Sequence, residues 1–323
     1  MNQLDSPDNA SRLCLFCNRR FGSDQLNCPE DGSQLVSIKT SPTKIDKVAG
    51  YQIQGEVGAG ISGKVYKAIE DNSSLVVAIK ILHESLIDNL EMVNRFKKEA
   101  DLSSRLTSPN TVAVKYFGIL NDGRPFMVMD YIEGICAGEI IEKNGAIGLE
   151  RALPIFIQVA AGLAHAHDLG IMHRDIQPQN IMLIEQDSQS DFVKIIDFGI
   201  AKHVQSDASM ALTITGEAVG TPVYMSPEQC LAGDVDHRTD IYSLGCVMYE
   251  MLTGRMVFSA SNPVALMTKH VQEAPPAMGL APSPQAAEIE RIILKSLAKK
   301  ASDRYSDAYE LKADLFALYR TAQ

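Results

Sequence analysis

The feature that most constrains this chain is a pair of short apolar runs, Ile181-Met182-Leu183-Ile184 and Val193-Lys194-Ile195-Ile196, separated by a polar stretch. Runs bounded in this way predict a β-hairpin, and strand pairing then brings together whatever stands at its open end. Here the open end is rich in polar side chains. His173-Arg174-Asp175-Ile176-Gln177-Pro178-Gln179-Asn180 leads into the first run, and Asp197-Phe198-Gly199 leads out of the second. Closing the hairpin gathers Asp175, Asn180 and Asp197, three oxygen-bearing side chains of the kind that suits a hard cation such as magnesium. If that cation carries a nucleotide phosphate, Asn180 and Asp197 are its ligands and Asp175 is left to receive a hydroxyl proton. The chemistry implied is phosphoryl transfer.

At 323 residues the chain has room for roughly two domains of about 150 residues. Its hydrophobic share of 46% and charged share of 22% are those of an ordinary water-soluble globular protein. No apolar run approaches the roughly 20 residues that span a bilayer, and Met1 to Arg20 lacks the apolar stretch of a signal peptide. The expected location is cytoplasmic. A net charge of −10 argues against nonspecific nucleic-acid binding. Three of the six cysteines cluster near the N-terminus and the rest are scattered, which fits a reducing compartment better than a disulfide framework.

That cluster is the second feature. Cys14-Leu15-Phe16-Cys17 has the two-residue spacing that lets both thiolates hold one tetrahedral metal, and Cys28-Pro29-Glu30-Asp31 repeats it with a carboxylate in fourth place. Residues 1–36 therefore read as a small zinc-ribbon-like module with Cys14, Cys17, Cys28 and Asp31 as zinc ligands. The competing reading is a metal-free vestige in which Asp31 is only the turn residue before Gly32. Residues 37–50, rich in Ser, Thr, Lys and Pro, read as a linker.

From Tyr51 the chain alternates apolar and polar residues around Val57-Gly58-Ala59-Gly60-Ile61-Ser62-Gly63-Lys64-Val65. Glycines there let a hairpin backbone approach phosphate, although a merely flexible hairpin would look the same. The flanks read as two strands rather than strand then helix, and no Lys-Ser or Lys-Thr follows, so a dinucleotide fold and a Walker motif are both disfavoured. Next, Leu75-Val76-Val77-Ala78-Ile79-Lys80-Ile81-Leu82 is an apolar strand interrupted by one lysine. A buried lysine needs an anionic partner. Glu99, on a charged helical segment, is one candidate and nucleotide phosphate another; the bland alternatives are a lysine snorkelling at a sheet edge and an exposed helical glutamate. Pro125 to Tyr131 predicts a further strand, the last before a helical region.

That region opens with apolar positions Leu153, Phe156, Val159, Ala160, Leu163 and Ala166 at helical spacing between Leu149 and Leu169. His165 and His167, two apart and facing different ways, read as packing or surface residues rather than metal ligands. Further helices are expected near Ala265 to Val271, Ala286 to Leu297 and Ser306 to Tyr319.

Taken together, the order of motifs resembles that of a eukaryotic-type (Hanks-type) Ser/Thr protein kinase of the kind found in bacteria, over about Tyr51 to Leu318. The resemblance rests on Gly58-x-Gly60-x-x-Gly63-x-Val65, Val77-Ala78-Ile79-Lys80, Glu99, His173-Arg174-Asp175 with Asn180, Asp197-Phe198-Gly199 and Ser226-Pro227-Glu228. It implies an α+β, two-lobed fold over residues 51–320, with a small, mostly-β N-lobe (51–132) and a larger helical C-lobe (133–320). It also implies that the chain phosphorylates Ser or Thr hydroxyls of proteins using ATP and Mg2+ or Mn2+. Residue by residue, Val57, Gly58, Ala59, Gly60, Gly63, Val65, Ala78, Met129, Asp130, Ile132 and Met182 would line the ATP site. Lys80, paired with Glu99, would hold the α and β phosphates, Asp175 would take the acceptor's proton, and Asn180 and Asp197 would hold the metal. Gly220 to Glu228 resembles the substrate-positioning loop of Ser/Thr kinases, Asp240 the anchor of the catalytic loop, and Arg304 the partner of Glu228. Arg174 suggests a pocket for a phosphate on Thr213 or Thr215, and autophosphorylation there would bring two copies of the chain together. Regulation is expected from the N-terminal module or from soluble partners.

One position departs from the pattern. Gln177 stands where the family usually has a lysine, and a glutamine offers the transferring phosphate only a neutral hydrogen bond. The implied consequence is slower catalysis; the alternative is a weakly active or inactive pseudokinase serving as a nucleotide-binding scaffold.

Overall fold

A computed structural model of the protein describes residues 11–13, 20–22, 24–29, 32, 34–38, 46–60, 62–186, 189–198 and 222–321. The chain divides into two compact units, one taking in Met1–Ser104 and Val114–Tyr131, the other Arg105–Ala113 and Ile132–Gln323.

The first unit begins with a small antiparallel sheet of β1 (Ser11–Leu13), β2 (Arg20–Phe21) and β3 (Val36–Ile38), in the order β2-β1-β3. Cys28 and Leu35, each 3% exposed, pack together with Phe21. Six further strands follow: β4 (Lys47–Val48), β5 (Tyr51–Ala59), β6 (Gly63–Glu70), β7 (Val76–Leu82), β8 (Val114–Ile119) and β9 (Pro125–Asp130). They form one antiparallel sheet in the order β4-β5-β6-β7-β9-β8. β4 lies inside the stretch that composition assigns to a linker. It pairs with β5, and Val48 is buried at 1% exposure against Ile79 and Ile81, so the 37–50 stretch ends as part of the sheet. Two residues of a Lys-rich segment are too few for composition to register.

The continuous apolar character of β7 has a direct cause: both faces of the sheet are covered at that strand. Val77, Ile79 and Ile81 join Ala68, Phe126 and Val128 on one face. Leu82 and Met127 meet α1 (Leu90–Ser103) on the other, through Val93, Phe96 and Ala100 at helical spacing. The Asn89 side chain caps α1 by accepting from Met92 N–H at 3.1 Å.

In the second unit come β10 (Ile135–Cys136), α2 (Ala137–Asn144), α3 (Leu149–Asp168) and the hairpin β11 (Ile181–Gln186) and β12 (Gln189–Ile195), with sheet order β10-β11-β12. Helices α4 (Pro227–Cys230), α5 (Arg238–Thr253), α6 (Pro263–Gln272), α7 (Pro284–Ser296) and α8 (Ala308–Thr321) complete it. The centre is α5, buried on every side from Thr239 to Leu252, with α3 alongside. α3 also backs the hairpin. A β-carbon at Gly162 would sit 2.8 Å from Ile195 Cδ1, so a larger residue there would require the Ile195 side chain to shift. α6 and α7 start earlier than apolar periodicity predicts, because Asn262-Pro263 and Ser283-Pro284 are each a side-chain cap followed by proline at the first helical position. Among the described residues, no helix is long and apolar enough to cross a membrane.

Candidate active site

In the second unit the loop from His173 to Asn180 is held from below by α5. Asp240, fully buried, accepts Arg174 N–H on Oδ1 at 2.7 Å and His173 N–H on Oδ2 at 2.8 Å, while His167 Nε2 lies 2.8 Å from the same Oδ2. Burial by itself would push the Asp240 carboxyl up. The hydrogen bond from His167, the imidazoles of His167 and His173 and the Arg174 N–H outweigh it, and the group is held below its ordinary value. The anchoring forces a backbone turn: Arg174 has φ of 63°, a left-handed conformation costly for a side chain of that size.

His173 works in both directions from its buried ring. Nε2 meets Ile196 O at 3.0 Å and Nδ1 accepts Asp175 N–H at 3.2 Å, which sets the neutral imidazole with its proton on Nε2. Burial, the largest influence on this group, depresses its basicity and favours that neutral form. Phe198 packs against the ring at 4.6 Å between centroids, tilted by 49°. Asn180 ties the two ends of the hairpin: its Nδ2 donates to Asp175 O at 2.9 Å, and its backbone O accepts Ile196 N–H at 3.0 Å. Asp197 therefore follows directly from a residue bonded to Asn180, and it is exposed, with φ of 52°. With its nitrogen committed to Asp175, the Asn180 amide has its oxygen to offer a cation. An amide oxygen and a carboxylate form a donor set that fits a hard divalent cation. Gln177 donates from Nε2 to Asp175 Oδ2 at 3.1 Å, and Asn180 Nδ2 lies 3.4 Å from the same oxygen.

The segment from Ser226 joins this framework. Gln229 Nε2 donates to Arg174 O at 3.1 Å. Glu228 takes both arms of the Arg304 guanidinium at 2.7 Å and the Thr239 hydroxyl at 2.6 Å. The remaining Arg304 N–H groups reach Ala298 O, Arg238 O and Lys299 O, so all five donors of a buried guanidinium are satisfied.

The first unit holds the other expected residues. Directly paired residues of antiparallel strands share a face, and Val65 pairs with Lys80, Lys80 with Met127, and Ala78 with Met129. Val65, Ala78, Lys80 and Met129 thus stand on the α1 side of the sheet. That placement lets Lys80, 8% exposed, reach Glu99, 4% exposed, with Nζ to Oε1 at 2.7 Å. Asp130, on the opposite face, pairs with Lys115. Gly58 pairs with Val65 and Ala59 with Lys64, Val57 lies exposed on β5, and Gly60 N–H bonds Gly63 O at 2.8 Å to close the turn. A β-carbon at Gly63 would lie 2.1 Å from Ile81 O, which makes glycine obligatory there. Ile132 and Met182 belong to the second unit, Met182 on β11 opposite Cys136.

Several contacts escape sequence reasoning. His83 Nε2 meets Gly60 O at 2.8 Å and steadies the glycine turn, although nothing local marks His83. His167 proves to be the partner of Asp240, a packing role whose effect reaches the loop from His173 to Asn180. Cys14, Cys17, Asp31, Gly199, Thr213, Thr215, Gly220 and Thr221 lie outside the described residues. Cys28 is buried, and among the described residues no group of three or more His, Cys, Asp or Glu side chains could hold a metal.

Comparison with known proteins gives a consistent picture. A family profile described as the protein kinase domain matches residues 51–316. The chain is 38% identical to Serine/threonine-protein kinase pkn3 of Myxococcus xanthus over 271 residues, 83% of this chain and 50% of the relative. It is 36% identical to Serine/threonine-protein kinase PknB of Mycolicibacterium smegmatis over 272 residues, 83% of this chain and 43% of the relative. In structure it resembles the crystallised PknI kinase domain of Mycobacterium tuberculosis, with TM-score 0.65 and 26% identity, covering 85% of this chain and 99% of that one. The chain thus spans half or less of the length of these two curated relatives.

Proposed function

The chain belongs to the protein kinase domain family, and from that premise we propose that it transfers the γ-phosphoryl group of ATP to Ser or Thr hydroxyls of proteins. The observation that carries the reading is the Lys80–Glu99 pair, 2.7 Å apart and almost wholly buried. Burying an ion pair is a poor way to stabilise a sheet, since the desolvation cost offsets the attraction. A lysine oriented by a buried glutamate is well suited to holding phosphate oxygens.

The roles follow. Lys80, oriented by Glu99, holds the α and β phosphates, and backbone N–H groups of the turn from Gly58 to Gly63 cover them. Val57, Ala59, Val65, Ala78, Met129, Asp130, Ile132 and Met182 surround the base and sugar. Magnesium or manganese, held by Asn180 and Asp197, would neutralise charge on the phosphate oxygens. Asp175 orients and deprotonates the acceptor hydroxyl. Gln177 and Asn180 donate to one oxygen of Asp175, turning its carboxylate one way, and Asp240 holds the backbone on which it stands. Because Gln177 is neutral, the transferring group lacks one cationic partner, and the rate is reduced for that reason.

The test is transfer from γ-labelled ATP by the full chain. Asp175→Asn should abolish it and Gln177→Lys should raise it. Nucleotide binding with no transfer after long incubation with either metal would refute the proposal in favour of a scaffold. Thr213 and Thr215 are proposed as autophosphorylation sites, modified between two copies of a cytoplasmic protein; mass spectrometry of active protein finding both bare would remove them. The N-terminal module is proposed as a zinc-binding appendage. The support is the two-residue spacing of Cys14-x-x-Cys17 and its repeat in Cys28-x-x-Asp31. Metal analysis finding no zinc in chain purified without chelator counts against it.

A further inference from the structure

Helix α4 begins with a reciprocal cap. Ser226 Oγ accepts Gln229 N–H at 3.4 Å, and Gln229 Oε1 accepts Ser226 N–H at 3.0 Å. Glutamate or glutamine closes such a box, because only a side-chain oxygen is needed. What an amide adds is a donor, and here the donor has a distant partner. Gln229 Nε2 donates to Arg174 O at 3.1 Å, 55 residues back along the chain.

Gln229 stands on a fixed base. Glu228 beside it takes the buried Arg304 guanidinium at 2.7 Å, and the Ser226 hydroxyl lies 3.3 Å from that of Thr239 on α5. Ser243 Oγ, also of α5, donates to Tyr224 O at 2.7 Å. The stretch from Tyr224 to Gln229 is therefore tied to the central helix at several points.

The donor acts where the loop from His173 to Asn180 is least able to hold itself. Arg174 is in the left-handed region, with φ of 63°. Asp240 grips the N–H groups of His173 and Arg174, and so fixes the peptides that precede Arg174. The peptide between Arg174 and Asp175 is held by other groups: its carbonyl accepts from Gln229, and its N–H donates to His173 Nδ1 at 3.2 Å. A peptide unit is planar, so tying both ends fixes its plane. That plane sets the direction in which the Asp175 side chain leaves the backbone. Without the Gln229 amide one end is untied.

We propose that Gln229 is a positioning residue for phosphoryl transfer: its amide locks the Arg174–Asp175 peptide, and through it the Asp175 carboxylate, to the segment that begins at Pro222. Oε1 holds that segment and Nε2 holds the loop, so the two are ordered together. The inference rests on the transferase reading above for the role of Asp175.

The experiment compares the full chain with Gln229→Glu and Gln229→Leu. The first keeps an oxygen for Ser226 N–H, and hence the cap of α4, but sets a carboxylate oxygen against Arg174 O. The second removes both contacts. Transfer from γ-labelled ATP to a Ser-containing peptide is read as kcat and KM, beside hydrogen exchange of the Asp175 amide. In Gln229→Glu, kcat and Asp175 protection should each fall about tenfold, the worth of one hydrogen bond, with both KM values within about twofold of wild type. Gln229→Leu should show the same fall in kcat per folded molecule together with a lower unfolding midpoint. Wild-type kcat and protection in Gln229→Glu overturn the proposal, and so does a rise in peptide KM at unchanged kcat, which would make Gln229 a substrate-binding residue. Exchange is read without turnover. A wild-type chain that transfers no phosphate, yet loses Asp175 protection in Gln229→Glu, would refute the transferase reading and leave the lock on the Arg174–Asp175 peptide standing.

Discussion

Replacing Asp240 with asparagine exchanges one oxygen for an NH2 group and is expected to loosen the loop that carries Asp175. The native carboxylate accepts from Arg174 N–H at 2.7 Å and from His173 N–H and His167 Nε2 at 2.8 Å. An asparagine in either orientation sets a donor against one of the two backbone N–H groups. That leaves a buried donor unsatisfied, at about 1–3 kcal/mol, and the surviving bonds lose their charge assistance. Arg174 adds to the cost, since its left-handed φ of 63° persists only while its surroundings impose it. A total near 3–5 kcal/mol follows from these contributions. If about 3 kcal/mol of it falls on the loop, the equilibrium constant favouring Asp175 in place drops roughly a hundredfold. The assay is the initial rate of phosphoryl transfer per folded molecule at saturating nucleotide, read beside hydrogen exchange of the His173 and Arg174 amides. Expected are a rate lower by up to about a hundredfold and a roughly hundredfold loss of protection at both amides, with nucleotide binding retained. A variant that keeps the protected amides and the wild-type rate would show that the turn holds itself, and the anchoring argument would fail.

Gly63→Ala places a methyl group 2.1 Å from Ile81 O, so β6 and β7 must separate beside Lys80; a loss of about 1–3 kcal/mol in urea unfolding is expected with weakened ATP binding, and an unchanged unfolding midpoint would contradict it. Arg304→Met strips Glu228 of both guanidinium bonds and should cost about 3–5 kcal/mol; a double-mutant cycle with Glu228→Gln should be strongly non-additive, and simple additivity would mean the pair is energetically idle. His270 is fully buried, bonded through Nδ1 to Tyr242 at 2.9 Å, and pushed down to about 4 by burial first and the Lys299 charge second. It is neutral when folded but titrates near 6.5 when unfolded, so its contribution is complete above about 6.5 and is lost as pH falls toward about 4. The loss amounts to roughly 3 kcal/mol at most, and His270→Gln should flatten the unfolding free energy across that window; an unaltered slope would exclude His270 as its source.

How much was legible in the sequence varies with the range of the interaction. Short-range patterns read well: the β11–β12 hairpin lies where the apolar runs fall, and α3 spans Leu149–Asp168 as the spacing of Leu153 to Ala166 requires. Boundaries set by capping rather than burial read less well, as at Pro263 and Pro284. Residues 105–113 show why unit membership is harder still. They lie between α1 and β8 of the first unit, yet Val112 N–H bonds Ile195 O at 3.0 Å and Ile195 N–H bonds Asn110 O at 2.8 Å. Those backbone bonds carry no side-chain signature.

What the sequence alone determined is the set of groups and their order: a glycine turn, a lone lysine in an apolar strand, and two acids and an amide around a hairpin. Phosphate and metal chemistry demand those residue types at short, fixed spacings, so they stand out without a structure. Tertiary structure decided how the groups are held. Lys80 meets Glu99 because strand pairing puts the lysine on the face that α1 covers. Asp240 reaches the loop from 66 residues away, and Glu228 finds Arg304 from 76. Glu250 is an ordinary helical glutamate until burial removes its water and leaves it facing a cavity. Distance along the chain hides such partnerships, because their energy comes from desolvation and geometry that exist only once the chain has folded.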